Sequence, residues 1–115
     1  MKFSVLVAVL AEEMEDKAID IAREAGAGAL TLFSGRGITA KEKKTFFGLT
    51  YEGAQSVMMA VLEKRLSLQV LKALTRELEL ENDPRGIAFT FPLEHVGGMG
   101  SPELDQFTRQ IEDEI

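Results

Sequence analysis

Twice in this chain a short apolar run gives way at once to an amphipathic stretch of helical period. Residues 3–10, FSVLVAVL, are apolar almost throughout and rich in β-branched side chains, which reads as a buried strand. Residues 12–25, EEMEDKAIDIAREA, follow, and Met14, Ala18, Ile21, Ala22 and Ala25 recur at three- and four-residue steps. Glu12, Glu13, Glu15 and Asp16 crowd the first turns, where a helix dipole favours anions, and Gly26 and Gly28 supply a stop. The pattern returns with QSVMMAVL (55–62) as a strand and SLQVLKALTRELELE (67–81) as a helix. In that helix Ser67 is placed to cap, and Leu68, Leu71, Leu74 and Leu78, with Val70, are placed to face inward. Between the halves, ALTLF (29–33) reads as a second strand.

After NDPRG (82–86), a turn by composition, IAFTF (87–91) reads as a fourth strand that Pro92 stops. GGMG (97–100) is a joint, and Ser101-Pro102-Glu103 opens a short C-terminal helix with a cap, a proline and an acid. The order strand, helix, strand, strand, helix, strand predicts an α+β fold of the ferredoxin-like βαββαβ type, an antiparallel sheet with two helices on one face. The strands are apolar on both faces, and one short helix is too little to cover the second. Self-association is the expected solution.

The chain has 115 residues, 45% hydrophobic and 28% charged, the profile of one globular domain, residues 1–115. Cysteine is absent, which excludes disulfides and thiolate metal sites. No run reaches the ~18 apolar residues of a membrane span, and a single cation precedes the first apolar run, so a cytoplasmic, unprocessed chain is expected. His95 is the only histidine, and serines 4, 34, 56, 67 and 101 have no obvious His–Asp partnership, so no enzyme activity is expected. The net charge of −6 argues against nucleic-acid binding.

One stretch runs against that charge. Residues 34–48, SGRGITAKEKKTFFG, carry +3 while the rest carries −9. Gly35-Arg36-Gly37 follows the second strand directly. Two glycines around an arginine let a backbone approach a ligand while the guanidinium meets an oxyanion, though a plain hairpin turn fits the same residues. The spacing is not that of a Walker A loop. Thr39-Ala40-Lys41-Glu42 also matches a capping box, so a short helix is an alternative there. Lys41, Lys43 and Lys44 lead to Phe46 and Phe47, and adjacent aromatics on a basic loop favour a docking partner.

GAGALTLFSGRG (26–37), KTFFG (44–48) and PRGIAFTFPLEHV (84–96), together with the element order, resemble the PII signal-transduction family, and its divergent PII-like branch most closely. The resemblance implies a homotrimer with adenine nucleotides in clefts between subunits. It also implies a T-loop, residues 35–53, that reports the bound state to a membrane transporter or an enzyme. By position, Gly28, Gly35, Arg36 and Gly37 match residues near the nucleotide, and Arg85 and Gly86 sit in the place of the family's B-loop. Lys41, Lys43, Lys44, Phe46 and Phe47 fall on the partner-binding part of the T-loop. The chain departs from the family pattern where Ile87 replaces a lysine and where HVGGMG (95–100) replaces an Arg-x-Arg clamp. AMP, ADP and ATP are all candidate ligands. Tyr51 is not expected to be a modification site. The alternatives are a trimeric interaction domain with no nucleotide, and a metal-binding trimer of the copper-tolerance type, which shares the fold.

Overall fold

A computed structural model describes residues 2–40, 49–83 and 85–98, with the backbone alone for residues 39, 40 and 49–52. Strand β1 (Phe3–Ala11) leads through a 3-10 turn (Glu12–Met14) into helix α1 (Glu15–Glu24). Strands β2 (Thr31–Ala40) and β3 (Leu49–Glu63) follow, then helix α2 (Lys64–Glu77) and strand β4 (Gly86–Pro92). The sheet is antiparallel in the order β2-β3-β1-β4. This is the ferredoxin-like arrangement expected from the element order.

Alternation along each strand sorts the side chains between two faces. On the helix-covered face Leu6, Ala8 and Leu10 of β1 meet Met58, Ala60 and Leu62 of β3. Ala18, Ile21 and Ala22 of α1 and Val70, Ala73 and Leu74 of α2 close over them. Across the opposite face run the rows Phe33–Val57–Val9–Ile87 and Thr31–Met59–Val7–Phe89, and Val61–Val5–Phe91 beside them. At the edge strands this second face is open. Phe33, Ile87, Phe89 and Phe91 are 48%, 59%, 41% and 44% exposed.

Several local expectations need correcting. The second strand does not stop at Phe33. It runs to Ala40, paired with β3 throughout, so Gly35-Arg36-Gly37 is a strand segment and not a turn, and Thr39 and Ala40 extend a strand and do not cap a helix. The cause is cross-strand pairing with residues 49–56, which overrides the weak strand propensity of the glycines. The third strand accordingly starts at Leu49 and not at residue 55, and includes Tyr51. The second helix begins three residues before Ser67. Its cap is Glu63, whose carboxylate accepts hydrogen bonds from the N–H groups of Arg65 (2.9 Å) and Leu66 (3.2 Å). Ser67 is buried inside the helix, and Leu68 faces outward, 48% exposed. Val70 and Leu74 of this helix pack into the core with Leu78 just past its end. The C-terminal helix expected from Ser101 lies outside the described residues, as do Lys41, Lys43, Lys44, Phe46 and Phe47.

Candidate functional site

The last row common to the three strands β2, β3 and β1 is Gly35–Gln55–Ala11. Beyond it β1 has ended, while β2 and β3 continue as a two-stranded ribbon from the pair Arg36–Ala54 to the pair Ala40–Leu49. Five further residues of β2 at ~3.3 Å each carry this ribbon roughly 16 Å past the body of the sheet. Its register slips between Gly37 and Ile38: Gly37 faces Gly53 and Ile38 faces Tyr51, leaving Glu52 as the extra residue of a bulge. Gly53, at φ 87°, adopts the conformation that glycine reaches without strain. A bulge adds local twist and re-aims what lies beyond it. The parts of β2 and β3 nearest residues 41–48 in the chain thus form a projecting ribbon whose root is Gly35-Arg36-Gly37.

At that root the two glycines serve different ends. A Cβ on Gly37 would lie 2.6 Å from Nε2 of Gln55, so the bare backbone leaves room for the Gln55 amide. A Cβ on Gly35 would make only an ordinary contact, 4.0 Å from Val57. Arg36 is exposed, and among the described residues its guanidinium makes no ion pair.

Gly86 opens β4 on the other edge of the sheet, with Arg85 just before it. The row Ser34–Ser56–Leu10–Gly86 puts Gly86 at the level of the ribbon root. The Arg85 carbonyl accepts the Ala11 N–H at 2.9 Å, which continues the root's own row. Arg36 and Arg85 thus share one end of the sheet but stand three strand spacings apart, about 14 Å. Gly86 is where the leucines need space: a Cβ there would lie 2.8 Å from the Cδ2 atoms of both Leu10 and Leu80.

The Arg85 guanidinium is already engaged. It donates from Nε and Nη2 to the two carboxylate oxygens of Asp83, at 3.0 and 2.9 Å, and from Nη1 to Glu13 at 3.0 Å. The Arg85 N–H also donates to Asp83 at 2.9 Å. The Arg85 side-chain bonds, and then its backbone bond, hold the Asp83 carboxyl below its ordinary value of 3.8. The Asp83 bonds in turn raise the guanidinium pKa. Asp83 and Glu13 were missed by sequence reasoning. Asp83 carries a local signal, an aspartate two residues before the group it bonds in a turn. Glu13, 72 positions away, carries none.

Gly28 is not brought to this root. It lies three residues before β2 begins and lines a separate cavity of about 330 Å³ with Ile19, Arg23, Leu30 and Leu32. His95, beyond β4, is exposed. Among the described residues no group of three or more His, Cys, Asp or Glu side chains is placed to hold a metal ion, and no helix is long and apolar enough to cross a membrane.

No protein-family model matches the sequence, and no curated protein matches it. Solved structures do. GlnK of B. subtilis, in its ATP complex, superposes with a TM-score of 0.66 at 16% identity, over 85% of this chain and 89% of that one. The fold is that of the PII proteins. CPII of Thiomonas intermedia K12, a nitrogen regulatory PII-like protein bound to ADP, AMP and bicarbonate, gives 0.61 at 17% identity, over 86% and 98%. A PII-like signalling protein from Thermus thermophilus gives 0.59 at 17%, over 81% and 88%. In this PII fold the ribbon root and the start of β4 are the two edges that carry the candidate cations.

Proposed function

We propose that this chain is a PII-like regulatory protein and not an enzyme. It binds an adenine nucleotide between two copies of itself and signals through the segment 35–53. The observation that carries the reading is the placement of Arg36 and Arg85 at one end of the sheet but on opposite edges. A cleft formed by the β2 edge of one copy and the β4 edge of the next unites Gly35, Arg36 and Gly37 with Arg85 and Gly86. Gly28 borders the same β2 edge farther along. The open apolar face favours burial in a homotrimer, and the solved PII structures bound to ATP, ADP or AMP give the ligand class.

In this reading nucleotide phosphate meets Arg36 at the ribbon root and changes the ribbon's preferred direction at the bulge. Lys41, Lys43, Lys44, Phe46 and Phe47, in the segment joining β2 to β3, then contact the regulated partner, a membrane transporter or an enzyme. Such a switch requires that the nucleotide bind one ribbon state better than the other. Calorimetry with AMP, ADP and ATP tests it. Arg36→Ala is expected to weaken binding about 10- to 100-fold, the worth of a charge-assisted hydrogen bond of ~1.5–3 kcal/mol. No heat with any adenylate, or an unchanged affinity in the variant, would sink the nucleotide reading.

A further inference from the structure

A groove lies at the far end of the sheet from Arg36 and Arg85. Three chain segments are tied together around it. The Lys64 N–H donates to the Lys2 carbonyl at 2.8 Å, joining the start of β1 to the start of α2. The Leu93 N–H donates to the Phe3 carbonyl at 2.9 Å, joining the end of β4 to the same place. Between them is a cavity of about 590 Å³, a size common among small-molecule sites. Lys2, Lys64 and Arg65 supply its charge, Ser4 and Thr90 its hydroxyls, and Leu68 an apolar wall.

Two independent features point to an anionic occupant. The first is the cations. In a chain of net charge −6, none of these three side chains makes an ion pair among the described residues. Two of them occupy the first turn of α2, which holds no acid and where the helix dipole opposes positive charge. Glu63, also on the wall, spends its carboxylate on capping the helix. The second is Ser4. It is only 5% exposed, it lines the cavity, and among the described residues its hydroxyl makes no hydrogen bond. An oxyanion placed there would accept from Ser4 and from the cations and would sit favourably at the helix N-terminus.

We propose that this groove is a second ligand site, for a small metabolite bearing a phosphate or carboxylate group, with its less polar body against Leu68. The site stands apart from the nucleotide reading and does not depend on it. At the far end of β1, seven residues of ~3.3 Å separate Ser4 from Ala11, roughly 23 Å.

The experiment titrates the full chain with inorganic phosphate and, separately, with citrate at constant ionic strength, following amide chemical shifts. Saturable binding is expected. Its shift changes should cluster at residues 2–4, 64–65 and 90–92. Which probe binds more tightly identifies the phosphate or the carboxylate as the recognised group. The double variant Lys64→Glu, Arg65→Glu should weaken binding at this groove at least tenfold, and Ser4→Ala several-fold. The proposal is overturned if the intact chain shows no saturable binding of either probe. It is equally overturned if the shift changes centre on the ribbon root, or if binding survives the double variant and is lost with Arg36→Ala.

Discussion

Arg85 illustrates how a side chain's identity and its availability differ. As a cation at the start of β4 it is suited to meet an anion, yet Asp83 grips it through both carboxylate oxygens and Glu13 holds the remaining nitrogen. A nucleotide recruiting Arg85 must displace these partners. Asp83→Asn is therefore expected to tighten adenylate binding several-fold, measured by calorimetry, with little change in melting temperature, because exposed pairs contribute little to stability. The sign of the pH effect follows from the lowered Asp83 pKa. Its contribution is fully present above the ordinary value of 3.8 and is lost only as pH falls through the depressed one. Between pH 5 and 8 this pair adds no slope to stability. Of this cluster the turn-borne Asp83–Arg85 contact had a local signal in the sequence that went unread. The Glu13 contact had none, because it needs the 3-10 turn after β1 to meet the start of β4.

Among the elements, both helices end in the same hydrogen-bonded motif, but only one uses glycine. After α1 the N–H groups of Gly26 and Ala27 return to the carbonyls of Arg23 and Ala22, with Gly26 at φ 119°. After α2 the N–H groups of Glu79 and Leu80 return to Arg76 and Thr75, and Glu79 takes φ 52°. A side chain there costs about 1 kcal/mol. Glu79→Gly should raise the unfolding free energy by about that amount in urea titrations, with an unchanged m-value. Within α2, Ser67 is 1% exposed and its hydroxyl has no partner among the described residues. Ser67→Ala removes a buried, unsatisfied group and improves helix propensity, so a gain of ~1 kcal/mol is expected in the same assay. Loss of stability in Ser67→Ala would show that the hydroxyl is satisfied after all. The misplacement of the helix start came from reading Ser67 as a cap, when a glutamate at the strand end performs that task.

For the molecule entire, the open sheet face is the surface that the proposed trimer would bury. Ile87, Phe89 and Phe91 on β4 and Phe33 on β2 leave about half their surfaces to water. Full burial of such side chains is worth ~1.5–3 kcal/mol each. Phe89→Glu, in the row that runs through Val7 and Met59, places a charge on this face without touching the helix-covered core. If the proposed trimer forms through this face, a smaller species is expected in light scattering coupled to gel filtration. An unchanged mass would place the self-associating surface elsewhere.

Element order, and with it the fold, was readable from the chain alone. Apolar runs of period two and amphipathic stretches of period 3.6 are local patterns, and the short connections leave few ways to pair the strands. Charge likewise singled out residues 34–48 before any pairing was known. The form of residues 34–40 came only from tertiary pairing. Glycines and an arginine carry no strand signal of their own, and residues 49–56 draw them into β2. Gly35-Arg36-Gly37, read as the start of a loop, is instead the root of a ribbon with a bulge at Glu52 and Gly53. Its arginine and the one at the start of β4 lie on opposite edges of one sheet, because strand order is set by long-range pairing that no local run of residues encodes.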